Sequence, residues 1–394
     1  MDFVNDRSWC CYPDGLLPTR RAFLRTLAAA AATAGVSIPA AAEVVEVPAG
    51  DEPIPGFPLG GFPAGSVQMN FNENPLGPSK KVIAAVLEDK LQACNRYSFI
   101  DPLVDAIAGH HEMPPSNVLV GCGSTEFLQF APWALLKDGG NIVLPVPSYG
   151  WSAGVAETMG RQVFRVPVGE VGIVDTAAMK KAIRSDTRIV YVANPNNPTG
   201  APISRREIAS LVGALPKTAV LIVDEAYHDF LPDGNAALDL VRDGASVLVL
   251  RTFSKAYGLA GLRLGYAVGP ESVLDRVRTV WWGDFGINTA ALIAGPAALA
   301  DREHVQHYVE VIDNGLLQLR SGLKELGFQP FPHRAPFFMV DFGGPTNRLV
   351  RDLQARRIFV QPGAKWGMPT FMRISVGTGR DNATFLNAIR EITA

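Results

Sequence analysis

The apolar run Ser246-Val247-Leu248-Val249-Leu250 stops at Arg251 and opens into Thr252-Phe253-Ser254-Lys255-Ala256-Tyr257-Gly258-Leu259-Ala260-Gly261-Leu262-Arg263. A continuous β-type run with no polar alternation reads as a strand buried on both faces, the habit of parallel sheets. Such a strand needs helices on either side, which points to an α/β fold. In those sheets ligands sit beyond the carboxyl ends of the strands, where Lys255 falls. Thr252 and Ser254 put hydroxyls beside its amine, and Arg263 adds a forked cation suited to phosphate. Together they suit a phosphorylated carbonyl compound. Pyridoxal phosphate fits, because its aldehyde forms a Schiff base with lysine. A lone lysine in a surface loop would mean none of this, so the other strand ends decide.

Ala219-Val220-Leu221-Ile222-Val223 leads into Asp224-Glu225-Ala226-Tyr227. A buried carboxylate at Asp224 either caps the next helix or pairs with a protonated pyridine nitrogen. Tyr227 is within reach of a ring oxygen. Ile189-Val190-Tyr191-Val192-Ala193 ends in Asn194-Pro195-Asn196-Asn197-Pro198-Thr199-Gly200, dense turn chemistry that also places asparagine amides at a strand end. Either Asn-Pro bond is open to the cis form. Val118-Leu119-Val120 runs into Gly121-Cys122-Gly123-Ser124-Thr125-Glu126 before a helix-like stretch. Ser124 or Thr125 there serves as a plain N-cap or as part of an anion site at a helix start. Tyr149, after the run Ile142 to Val146, can lie flat on an aromatic ring.

Taken in order, these motifs resemble the fold-type I pyridoxal phosphate enzymes, and within them the histidinol-phosphate aminotransferase branch of class I/II aminotransferases. The resemblance covers roughly residues 68–394 and rests on Asn72 to Pro78, Asn95-Arg96-Tyr97, Gly121 to Glu126, Asn194 to Gly200, Asp224 to Tyr227, Arg251 to Arg263 and Arg373 to Thr378. It implies an enzyme that moves an amino group between an L-amino acid and a 2-oxo acid. It implies Lys255 as the cofactor-bearing lysine and proton shuttle, and Asp224 on the pyridine nitrogen. Asn197 and Tyr227 would bond the ring oxygen, and Tyr149 would stack on the ring. Gly123, Ser124, Thr125, Thr252, Ser254 and Arg263 would form the phosphate cup. Arg373 would clamp the substrate carboxylate, with Asn72 also on the substrate side. Tyr97 would reach the phosphate of a neighbouring subunit, making a homodimer with shared sites.

The same cofactor chemistry also supports a lyase, a decarboxylase or an oxidase, and a non-catalytic pyridoxal phosphate-binding module is the alternative of another class. The sequence departs from the branch at Ala335-Pro336-Phe337-Phe338, at Ser98 after Tyr97, and at Phe285-Gly286-Ile287-Asn288 preceded by Trp281-Trp282. These positions lie around the side-chain pocket in the family. An aromatic, apolar wall there points to an amino acid other than histidinol phosphate.

The alternation of strand-like and helix-like runs from about 80 to 290 gives a large domain, 80–295, with a mostly parallel sheet flanked by helices, and 296–394 reads as a smaller α+β domain. Residues 43–67, rich in proline and glycine, read as an extended arm, and 43–79 as that arm with a segment that joins the small domain. Residues 1–42 contain Thr19-Arg20-Arg21-Ala22-Phe23-Leu24-Arg25, an alanine-rich run from Thr26 to Gly35, and Ala40-Ala41-Ala42. They resemble a twin-arginine export signal, which places the enzyme in the periplasm; an N-terminal helix on a cytoplasmic enzyme is the alternative. The run falls short of the ~20 residues of a membrane span. Lys and Arg number 36 against 38 Asp and Glu, so no nucleic-acid footprint is visible. Cys10, Cys11, Cys94 and Cys122 have no metal-ligand spacing, and His110-His111 reads as a polar helix face.

Overall fold

The computed structural model describes residues 62–87, 95–231, 237–281 and 283–394. Residues 1–42, read above as resembling an export signal, most of the arm, Cys94 and Trp282 lie outside the described residues.

The strands are β1 (Val67–Met69), β2 (Val118–Gly121), β3 (Asn141–Val146), β4 (Gln162–Pro167), β5 (Thr187–Ala193), β6 (Val220–Asp224), β7 (Val247–Thr252), β8 (Gly265–Val268), β9 (Gln329–Pro330), β10 (Phe337–Asp341), β11 (Ile358–Pro362) and β12 (Phe371–Ser375). One sheet runs β2-β8-β7-β6-β5-β3-β4. Its pairs β7–β6, β6–β5, β5–β3 and β3–β4 are parallel, while β8 is antiparallel to both β2 and β7. The second sheet runs β1-β11-β12-β10-β9, with β1 parallel to β11 and the other pairs antiparallel.

The expected α/β architecture is present, and the apolar runs explain it. Along β5, β6 and β7, Val190, Val192, Leu221, Val223, Val247 and Val249 enter one apolar cluster. The residues between them, Ile189, Tyr191, Val220, Ile222, Leu248 and Leu250, enter another on the opposite face. Side chains alternate across a strand, so a strand covered on both faces must be apolar throughout. Each such Ile, Leu or Val contributes about 1.5–3 kcal/mol by leaving water. A third cluster covers the second sheet, where Phe337, Phe338, Ile358, Met372 and Ile374 pack with Ile312, Leu316 and Leu319 of the helix Arg302–Glu325.

Residues 289–325 are helical, as two helices, Thr289–Ala300 and Arg302–Glu325. They break at Asp301 (φ −98°, ψ 66°), a buried residue whose carboxylate accepts from Lys81 Nζ at 2.9 Å. His111 is not on a polar face. It is buried, and its Nε2 lies 2.8 Å from the Tyr266 hydroxyl.

The parallel strands deliver their carboxyl ends to one side. Ala193, Asp224 and Leu250 are in register across β5, β6 and β7. The segments that follow, with Asn197, Tyr227, Ser254 and Lys255, therefore start level with one another.

Candidate active site

The helix Ser124–Leu135 begins at Gly123, whose φ of +82° favours glycine. A Cβ at Gly123 would come within 2.5 Å of Arg263 Nη2, and one at Gly265 within 2.4 Å of the Ser124 nitrogen. The backbone is thus pressed close around the helix start. Glu126 folds back so that its carboxylate accepts from the Cys122 N–H, and burial pushes that carboxyl above its ordinary range. Arg263 ties this loop to the next: Nη1 donates to Ser254 Oγ at 3.2 Å and Nη2 to the Cys122 carbonyl at 3.4 Å. Thr252 Oγ1 accepts from the Ser254 N–H at 3.1 Å. A helix start, hydroxyls of both loops and an exposed guanidinium make a cradle for an anion.

Lys255 sits at the end of this loop, half-buried, its Nζ donating to the Phe71 carbonyl at 2.8 Å. Burial pulls its amine down to about 8, helped by the positive charge of Arg373. Asp224 is 5% exposed. Its Oδ1 accepts from the Ala226 N–H at 3.2 Å and its Oδ2 from the Tyr191 hydroxyl at 3.2 Å. Burial raises this carboxyl to about 6. Among the described residues no cation lies within ion-pair distance of it. A buried carboxylate without a cation of its own suits a protonated ring nitrogen.

Arg373 projects from β12 and is 5% exposed. Its Nη1 donates to Asn197 Oδ1 at 2.7 Å and its Nη2 to the Asn70 carbonyl. With its oxygen committed to the arginine, Asn197 has its amide N–H groups left to donate. The Arg373 guanidinium lies 5.4 Å from the Phe337 ring centre and 5.3 Å from that of Trp366. Tyr227 packs edge-on to Phe337 at 4.9 Å, and Lys255 Nζ is 5.8 Å from the Tyr227 ring centre. Burial pushes the Tyr227 hydroxyl up to about 12. Tyr149 is hydrogen-bonded to Thr125, and burial raises its hydroxyl too. The amide of Asn72 bonds Tyr227 and Ser375.

Tyr97 stands apart from this group. It is 85% exposed and lies edge-on to Phe285, itself exposed, at 5.5 Å. Both line an open cavity with Arg96, Ile287 and Asn288. Trp281 packs against the apolar cluster that holds Phe127 and Val277. Cys122 Sγ is 3.1 Å from the Gly286 carbonyl.

Sequence reasoning missed three supports. Tyr191 holds Asp224, yet it reads as one more residue of a buried run. Ser375 holds Asn72. Glu225, fully buried, accepts from Arg251 Nε at 3.0 Å and Nη2 at 2.7 Å and from the Ala237 N–H at 2.6 Å. Glu225 follows Asp224, and Arg251 precedes Thr252, so this pair pins the ends of β6 and β7 beneath the site. Arg251 interrupting an apolar run was the available signal for it.

An amine of lowered basicity and a buried carboxylate at the carboxyl ends of one sheet, with an anion cradle next to the lysine, suit an enzyme that works through a phosphorylated aldehyde. Comparison with known proteins makes this specific. The family model described as aminotransferase class I and II matches residues 65–392. The histidinol-phosphate aminotransferase of Moorella thermoacetica is 36% identical over 340 residues, covering 83% of this chain and 86% of its own. Histidinol-phosphate aminotransferase 2 of Pseudomonas fluorescens is 35% identical over 342 residues, covering 84% and 90%. The crystal structure of histidinol-phosphate aminotransferase from Sinorhizobium meliloti in complex with pyridoxal-5'-phosphate superposes with a TM-score of 0.78 at 25% identity, covering 83% of this chain and 90% of that one. The chain belongs to the aminotransferase class I and II family. It is a pyridoxal phosphate-dependent aminotransferase that moves an amino group between an amino acid and a 2-oxo acid.

Proposed function

We propose that the amino donor carries an apolar or aromatic side chain, held by its carboxylate on Arg373. The observation that carries this is the setting of Arg373: a buried, fixed guanidinium between the rings of Phe337 and Trp366. A bidentate clamp orients the Cα–H bond, and positioning of this kind contributes several kcal/mol. Flanking rings then favour an apolar group beyond Cα. Histidinol phosphate, named for the relatives above, is the second reading, supported by their identity over most of the chain.

In this reading Ser124, Thr125, Thr252, Ser254 and Arg263 would hold the cofactor's phosphate around Gly123. Tyr149 would stack on its ring, Asp224 would pair with the pyridine nitrogen, and Asn197 and Tyr227 would donate to the ring oxygen. Bound pyridoxal phosphate supplies the electron sink that makes the substrate Cα–H acidic. Lys255 would hold the cofactor, and its amine would move the substrate Cα proton. An amine lowered to about 8 is neutral in a useful fraction near neutral pH, so it can accept that proton and return it. Arg373 and Asp224 stay in place throughout as fixed charges.

Exposed Tyr97 and Phe285 support a homodimer in which Tyr97 completes the partner subunit's phosphate cup. Residues 1–42 support export by the twin-arginine route to the periplasm, with the large domain at 80–295 and the small one at 296–394 travelling folded. No helix among the described residues is long and apolar enough to cross a membrane. A panel of amino acids and histidinol phosphate, each with 2-oxoglutarate, tests the substrate reading. Glutamate should form fastest from aromatic or branched apolar donors. Faster turnover of histidinol phosphate than of any amino acid would favour the second reading. Ammonia or carbon dioxide without glutamate would refute transfer.

A further inference from the structure

Asn72 holds φ at +55°, a conformation that asparagine tolerates better than most residues with a side chain. It is 1% exposed. Its backbone N–H donates to Ser375 Oγ at 3.0 Å, and the serine hydroxyl donates back to Asn72 Oδ1 at 2.7 Å. With the carbonyl oxygen on the serine, the amide nitrogen faces the other way and donates to the Tyr227 hydroxyl at 2.9 Å. A tyrosine hydroxyl has a single hydrogen. Once its oxygen accepts from Asn72, that hydrogen is kept for a different acceptor. Ser375 and Arg373 stand two apart on β12 and so share a face, which makes Asn72 the joint between the arginine's strand and the tyrosine. Its two preceding carbonyls accept from the same site: Asn70 from Arg373, and Phe71 from Lys255.

We propose that Asn72 is a positioning residue that sets the direction of the Tyr227 hydroxyl, so that it donates to an anionic oxygen of the bound cofactor. This rests on the reading that Tyr227 faces the cofactor's ring oxygen. Asn72 then acts through Tyr227 and not on the substrate directly.

Three variants test it, read by equilibrium titration of the cofactor-free protein with pyridoxal phosphate. Asn72→Gly keeps the positive φ and removes the amide. A hydrogen bond between neutral groups is worth about 0.5–1.5 kcal/mol, so cofactor affinity should fall about threefold to tenfold. Asn72→Asp keeps the shape but cannot donate when ionised, and its carboxylate draws the Tyr227 hydrogen away from the cofactor. It should weaken binding more than Asn72→Gly does. A packing role alone gives the reverse order, because the carboxylate fills the space that glycine empties. Ser375→Ala, which leaves Asn72 in place but frees its amide to turn, should weaken binding in the same direction. In a Tyr227→Phe background all three should lose most of their effect. The proposal is overturned if Asn72→Asp is milder than Asn72→Gly, if Ser375→Ala changes nothing, or if the losses persist undiminished without the Tyr227 hydroxyl. A Tyr227→Phe enzyme that binds cofactor as tightly as the parent overturns the underlying assignment of Tyr227 instead.

Discussion

Asp224→Asn should act with opposite signs on the cofactor-free protein and on the loaded enzyme. Burial lifts the Asp224 carboxyl from its ordinary 3.8 to about 6. A group whose folded value is raised contributes stability that is fully present below the unfolded value and is lost as pH rises through the folded one. A shift of roughly 2 units corresponds to about 3 kcal/mol of strain in the ionised, cofactor-free protein above about pH 6. Asparagine has nearly the same shape and no charge, so that strain disappears. The Tyr191 hydroxyl and the Ala226 N–H must then share one oxygen where they had two, so about 3 kcal/mol is a ceiling. At ~2.1 cal/mol/K of unfolding entropy per residue, a body of this size would gain up to about 4 °C in melting temperature. The gain should shrink to nothing below about pH 4, where the parent carboxyl is protonated in both states. Cofactor affinity should move the other way. Loss of a hydrogen bond to a charged group costs about 1.5–3 kcal/mol, or roughly tenfold to a hundredfold in affinity. Calorimetric melting of cofactor-free parent and variant across this pH range, with pyridoxal phosphate titrations beside it, reads both signs. The reasoning fails if the cofactor-free variant is no more stable than the parent at about pH 8, or if the gap does not depend on pH.

What could be read in the sequence, and what could not, divides by distance along the chain. Lys255, Asp224 and Asn197 stand out as candidates because a buried parallel strand must be apolar, and polar groups at or just past its carboxyl end fall where such sheets hold ligands. The same logic hid Tyr191: inside such a run its ring is indistinguishable from core, and only its approach to Asp224 on the next strand gives the hydroxyl a role. His110-His111 looked polar because the partner that allows His111 to be buried, Tyr266, lies 155 residues away. The break at Asp301 was invisible for a similar reason, its partner Lys81 being 220 residues distant. Asn72 is the sharpest case. Its sequence context marks it as part of a motif, but its function depends on Ser375, 303 residues on, and Tyr227, 155 residues on. Strand ends advertise themselves locally, whereas the groups that orient them come from other parts of the fold.

Two further outcomes follow from the charges of the chain. Changing Arg20 and Arg21 both to Lys should keep the enzyme in the cytoplasm, as read by cell fractionation; unchanged export would refute the twin-arginine reading. Arg251→Met should cost about 3–5 kcal/mol in urea unfolding, because it leaves the fully buried Glu225 carboxylate without its cation. Combining it with Glu225→Leu removes the stranded charge and should regain most of that loss, since the penalty comes from the unpaired ion more than from the missing contact. If the double variant is as unstable as the single one, the ion pair's role is packing rather than charge. Recovered stability without recovered cofactor affinity would show that the pair is kept to hold Asp224 and Thr252 in place, not to hold the fold together.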